Sequence, residues 1–122
     1  MTFLSNNKGD IVNLENVNSV QVVKRGGKQI AYLHTQEGAT MYSEVDGLEK
    51  LMAFLNQITV KWLRVGNLIL KINNIDSIRY DEKAGFQFNM NGGRNYQLPV
   101  KTKEEFQHYD KQLKEGLLIE TL

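Results

Sequence analysis

The sequence predicts a mainly β fold: many short antiparallel strands with two short helices. Three observations predict it. Apolar residues alternate with polar ones in successive runs, glycine-bearing turns separate those runs, and helical spacing occurs twice, each time behind a capping signal. A chain of 122 residues suits one core, because folding at this size buries roughly two-thirds of the unfolded surface. With 41% hydrophobic residues, 24% charged and one proline, the composition excludes disorder.

In chain order, Val20 and Val22, Ile30 and Tyr32, and Met41, Ser43 and Val45 each form one face of a strand. After Asp46, with Glu49 in the capping-box position, Leu48, Leu51, Met52 and Leu55 make the apolar stripe of a helix. Strand alternation then resumes with Leu68, Leu70 and Ile72, continues through Phe86, Phe88 and Met90, and ends at Tyr96, Leu98 and Val100. A second helix follows Thr102, with Glu105 completing its box and Phe106, Tyr109 and Leu113 on one side. Arg25-Gly26-Gly27-Lys28, Gln36-Glu37-Gly38, Lys83-Ala84-Gly85 and Asn91-Gly92-Gly93-Arg94 read as hairpin turns. Tyr32, Tyr80, Phe86 and Phe88 alternate like core residues, Trp62 reads as core or rim, and Arg64 is expected to pair with an acidic neighbour.

The segments LENVNSVQV (residues 14–22) and INNIDSIRY (residues 72–80) resemble each other, and each leads into a glycine hairpin, further strands and a capped helix. One domain spanning residues 1–122 is expected, with pseudo-halves over roughly 9–57 and 62–115; duplication is one reading of their likeness, and the ordinary self-similarity of a mostly β chain with short hairpins is the other.

Composition removes several classes of function. With no cysteine there is no thiolate chemistry, and two isolated histidines, His34 and His108, offer no metal-ligand spacing. No glycine loop precedes a helix as a phosphate cradle, and no nucleophile stands beside a base, so no enzyme activity and no cofactor are expected. The absence of a signal-like start and of a long apolar run predicts a cytoplasmic protein without membrane contact. Net charge is only +1, with residues 58–122 slightly more basic than residues 1–57, so anion binding must rest on local clusters.

The stretch WLRVGNLILKINNIDSI, Trp62 to Ile78, carries the most specific resemblance. Trp62, Arg64, Val65, Asn67, Leu68 to Leu70 and Ile75 fit the most recognisable line of the LytTR DNA-binding domains, with one residue deleted near Asn67. Asn16 to Gln21, the strand pair IAYLHTQEGATMY, Leu48 with Leu51, and Pro99-Val100-Lys101-Thr102 match further family features in the family's order. Gly66 stands where the family has His, Lys71 where it has Asn, and Lys101-Thr102 where it has Ser-Arg.

The resemblance implies an antiparallel LytTR-like β fold that binds duplex DNA sequence-specifically through loops entering neighbouring major grooves. Two copies would occupy direct repeats, in a small stand-alone transcription regulator, with a homodimer as a further assembly state. Lys24, Lys28, Lys101 and Lys103 would meet phosphates, Arg25 and Asn67 would read bases, and Thr102 would lie beside them at a helix N-terminus. Basic turns are also ordinary soluble surface. The alternative is a non-enzymatic protein-interaction or structural module of phage or mobile-element origin, without DNA binding.

Overall fold

A computed structural model describes residues 3–6, 8–57 and 61–121. The chain order is β1 (Phe3–Ser5), β2 (Ile11–Asn13), a 3-10 turn (Leu14–Asn16), β3 (Val17–Arg25), β4 (Lys28–Thr35), β5 (Thr40–Val45) and α1 (Leu48–Leu55). It continues with β6 (Trp62–Val65), β7 (Leu68–Lys71), a second 3-10 turn (Ile72–Asn74), β8 (Ile75–Asp81), β9 (Gly85–Met90), β10 (Asn95–Leu98) and α2 (Lys103–Gly116). All pairing among the described strands is antiparallel, as expected: β1 with β2, a five-stranded sheet in the order β5-β4-β3-β7-β6, and a three-stranded sheet β10-β9-β8.

The nearly unbroken aliphatic run of β7 follows from its place between two cores. Ile69 faces the first core with Val20, Val22, Ala31, Leu33, Trp62 and the α1 residue Leu55. Leu68 and Leu70 face the second, with Leu63, Val65, Phe86, Phe88, Leu98 and the α2 residue Leu113. A strand covered on both faces gains nothing from alternation. Every residue of β7 is buried, including Lys71 at its end. The Lys71 ammonium donates to the carbonyls of Leu14 (3.1 Å) and Glu15 (2.7 Å) and lies 5.5 Å from the Trp62 ring centroid, tying the first 3-10 turn to β7. Burial lowers its pKa, partly opposed by the Glu15 charge.

Both helices form where the apolar spacing placed them, but only one has the expected cap. The Thr102 hydroxyl accepts from the Glu105 amide at 3.1 Å, and the Glu105 carboxylate reaches back to the Lys101 amide at 2.7 Å. At α1 the cap is Gly47, with φ of 140° and no side-chain bond; Asp46 instead pairs along the exposed surface with Lys50 at 3.8 Å. With Gly47 in the cap position, Asp46 lies one residue outside it.

Three further expectations are corrected. Tyr80 is 45% exposed, its ring forming the outer wall of an aromatic cluster with Phe86 (5.0 Å) and Phe106 (4.9 Å). Tyr32 is half-buried, packed edge-on against the exposed Tyr42. Arg64 has no carboxylate within ion-pairing distance among the described residues, and its Nε is buried without a partner. Trp62 is core.

Candidate nucleic-acid interface

The sheet brings two of the expected contact elements to one end. At the β3–β4 tip, Gly26 and Gly27 take φ of 57° and 79°, the left-handed geometry of a tight hairpin, leaving Lys24, Arg25 and Lys28 exposed. The β6–β7 turn lies alongside, because Asn67 exchanges two bonds with Val22: its carbonyl accepts from the Val22 amide (2.9 Å) and its Nδ2 donates to the Val22 carbonyl (3.1 Å). Arg25 is three residues further along β3, so the tip stands roughly 10 Å beyond the turn.

Helix α2 delivers the third element to the same end. The Gly66 amide donates to Gln112 Oε1 at 2.9 Å, and Gly116 sits against Leu63, so α2 runs antiparallel to β6. Thr102 is ten residues before Gln112, which carries the helix start about 15 Å outward past the turn. Lys101, Thr102 and Lys103 are exposed there and, with Tyr80, Val100 and Phe106, line a shallow cleft.

Not every expected residue is equally available. Lys28 is paired with Glu44 at 3.8 Å, although both side chains stay mostly in solvent. Asn67 has already given one amide hydrogen to Val22, and the Thr102 oxygen caps α2. Lys24, Arg25, Lys101 and Lys103 belong to no ion pair among the described residues; Arg25 lies 5.8 Å from the Tyr32 ring centroid. Sequence reasoning missed Lys83. It lies in the exposed β8–β9 turn, beside the exit from β10, because Gly85 packs against Leu98 and Pro99.

One solved structure matches along nearly the whole chain: the LytTr DNA-binding domain of a protein described as a methyl-accepting/DNA response regulator from Bacillus cereus. Identity is 16%, the match covers 92% of this chain and 94% of that one, and the TM-score is 0.54. The fold is that of a LytTr DNA-binding domain. No protein-family model and no curated protein matches the sequence. In this LytTr fold no helix among the described residues is long and apolar enough to cross a membrane, and no group of three or more His, Cys, Asp or Glu among them could hold a metal ion.

The opposite end of the fold is polar but packed. The Asn18 amide donates to the Asn91 carbonyl (2.9 Å), the Asn74 amide to Asn18 Oδ1 (2.5 Å), and the hydroxyls of Ser19 and Tyr96 bond to each other. His34 is buried beside them, its Nδ1 3.0 Å from the Thr40 hydroxyl and its Nε2 without a partner. Burial, helped by the Arg94 charge, pushes its pKa from 6.5 to about 4. Below pH 6.5 the unfolded chain takes a proton that the native one refuses. Stability on this account is complete above pH 6.5 and is lost as pH falls toward 4, by up to about 3 kcal/mol. His34→Asn should flatten the melting temperature between those pH values relative to the parent; equal slopes would mean another group titrates.

Proposed function

We propose that this protein binds duplex DNA sequence-specifically, as a cytoplasmic regulator of transcription. The observation carrying this is the convergence of the β3–β4 tip, the β6–β7 turn and the start of α2 on one end of a LytTr fold. Lys24, Lys28, Lys101 and Lys103 supply phosphate contacts, which give affinity without sequence information. Arg25 presents a forked donor to a base edge, and Asn67 offers an amide oxygen and its remaining hydrogen. Thr102 donates its hydroxyl hydrogen to a phosphate while still capping α2. The solved neighbour's description as a DNA-binding domain supports this reading, and two copies on direct repeats extend it.

The test is fluorescence anisotropy on mixed-sequence duplexes at about 50 and 200 mM salt. Four lysine contacts predict a log–log slope near −3.6, hence a loss of affinity of about a hundredfold across that range. Selection from a random pool should then enrich one motif. Absence of binding at the lower salt would refute the proposal and leave the protein-interaction module as the reading.

A further inference from the structure

The likeness between the halves extends to individual hydrogen bonds. Each half places a 3-10 turn, Leu14–Asn16 or Ile72–Asn74, before a strand that bulges at the matching residues, Val17/Ser19 or Ile75/Ser77. Each next hairpin closes identically: the Thr35 amide donates to Ala39 O and that of Met90 to Arg94 O, both at 2.9 Å. The following amide reaches back to the 3-10 turn in both, Gln36 to Asn16 O at 2.9 Å and Asn91 to Asn74 O at 2.8 Å. In this correspondence β3 matches β8 and β4 matches β9. The hairpin β1–β2, with Leu4 opposite Val12, matches β6–β7, with Leu63 opposite Leu70.

The correspondence leaves one contact made once and missing once. Inside the molecule β7 adds to the edge of β3, with Leu70 opposite Ser19, Ile69 opposite Val20 and Leu68 opposite Gln21. That pairing buries Trp62 and Ile69, which are 6% and 0% exposed. Their counterparts on the first hairpin, Phe3 and Ile11, are 56% and 70% exposed. Leu4 and Val12, on the hairpin's other face, pack on the first core as Leu63 and Leu70 pack on the second. Among the described residues β2 pairs only with β1, and β8 only with β9, so both matching edges are open.

We propose that a second copy of this chain fills the missing contact: its β2 adds antiparallel to β8, head to tail, repeating between molecules the β7-on-β3 pairing within one. The register places Val12 opposite Ser77, Ile11 opposite Ile78 and Asp10 opposite Arg79. Three features select a second copy as the occupant. The chain already accepts this hairpin type on this strand type. Both apolar residues that the docking would cover, Phe3 and Ile11, lie on the donor hairpin, and half-buried Ile78 lies on the acceptor. Opposite charges, both exposed, face each other in that register. An edge strand carrying Asp76, Arg79 and Asp81 discourages indiscriminate pairing and favours a partner that matches Arg79. The contact is heterologous, so each bound copy offers a fresh β8 edge.

The absence of native cysteine makes the test direct. Ile11→Cys and Ile78→Cys molecules, mixed and oxidised without DNA, should form a disulfide dimer at least roughly tenfold faster than a Tyr42→Cys and Ile78→Cys mixture, because docking raises the effective concentration. The parent should also show a mass that rises with concentration in sedimentation. Asp10→Lys or Arg79→Asp should abolish that rise, and the double variant should restore it. Asp10 and Arg79 are both exposed, and unchanged melting temperatures will separate lost assembly from lost folding. A parent that stays monomeric, a cross-link no faster than the control, or failure of the double variant to recover assembly would each overturn the proposal. Ile11→Cys/Ile78→Cys in one chain closing on itself would do the same. None of these measurements involves DNA, so this proposal and the one on duplex binding fail independently.

Discussion

Replacing Lys24, Arg25 and Lys101 together by alanine is expected to lower affinity for duplex DNA by about 10²–10³-fold at low salt. The salt slope should shrink by nearly two, since Lys24 and Lys101 each remove a phosphate contact worth about 0.9, while Arg25 removes a base contact. These cations are exposed, belong to no ion pair among the described residues, and come from two separate elements. Lys28 is left in place because Glu44 already screens it. The matched control removes Lys50, Lys111 and Lys114, which subtracts the same charge. Each of those lysines, on α1 or α2, already pairs with a carboxylate four residues away. The control should retain most of its affinity. Equal losses in the two variants would show that binding follows net charge rather than this end of the fold. Folding should survive in both: Arg25 gives up only an exposed contact with Tyr32, worth about 0.5–1 kcal/mol.

The elements legible in the sequence are those set by local chemistry. Alternation found the strand faces because each sheet buries one side, and Thr102 with Glu105 announced α2 because that cap needs only four residues. The similarity of residues 14–22 to residues 72–80 was visible because the two segments make the same turn and bulge. What failed depends on distant partners. Asp46 satisfies the cap pattern, but Gly47 takes the cap position and the helix starts without a side-chain cap. Tyr80 alternates with core residues, yet β8 is an edge strand whose outer residues only half cover the cluster beneath. The aliphatic run of β7 showed burial but not that two cores share it, because the strands it separates lie far apart in sequence. At the candidate interface the cations could be named from their turns. Their convergence could not, since it depends on Gly66 docking to Gln112 and Asn67 docking to Val22.

Gly85→Ala is expected to cost at least about 3–4 kcal/mol, enough to lower the melting temperature by more than about 10 °C or prevent folding. Two penalties combine there. The φ of +83° is a conformation that L side chains rarely adopt, costing about 1–2 kcal/mol. A Cβ would also lie 2.9 Å from Pro99 Cα and 3.0 Å from the Leu98 carbonyl carbon, and closer still to the Leu98 oxygen. These are backbone atoms, so no rotamer change relieves the contact; β9 and the exit from β10 would have to separate. Gly27→Ala isolates the first penalty, because its φ is +79° and nothing lies within 4 Å of the added carbon. It should lower the melting temperature by only a few degrees. The difference between the variants therefore measures how tightly the Leu98–Pro99 backbone is held against the β8–β9 turn. Lys101 begins two residues beyond Pro99, so that contact also fixes where the basic arm leaves the sheet. A Gly85→Ala protein that melts with Gly27→Ala would mean that the backbone there yields easily, and the arm's position would then need a different anchor.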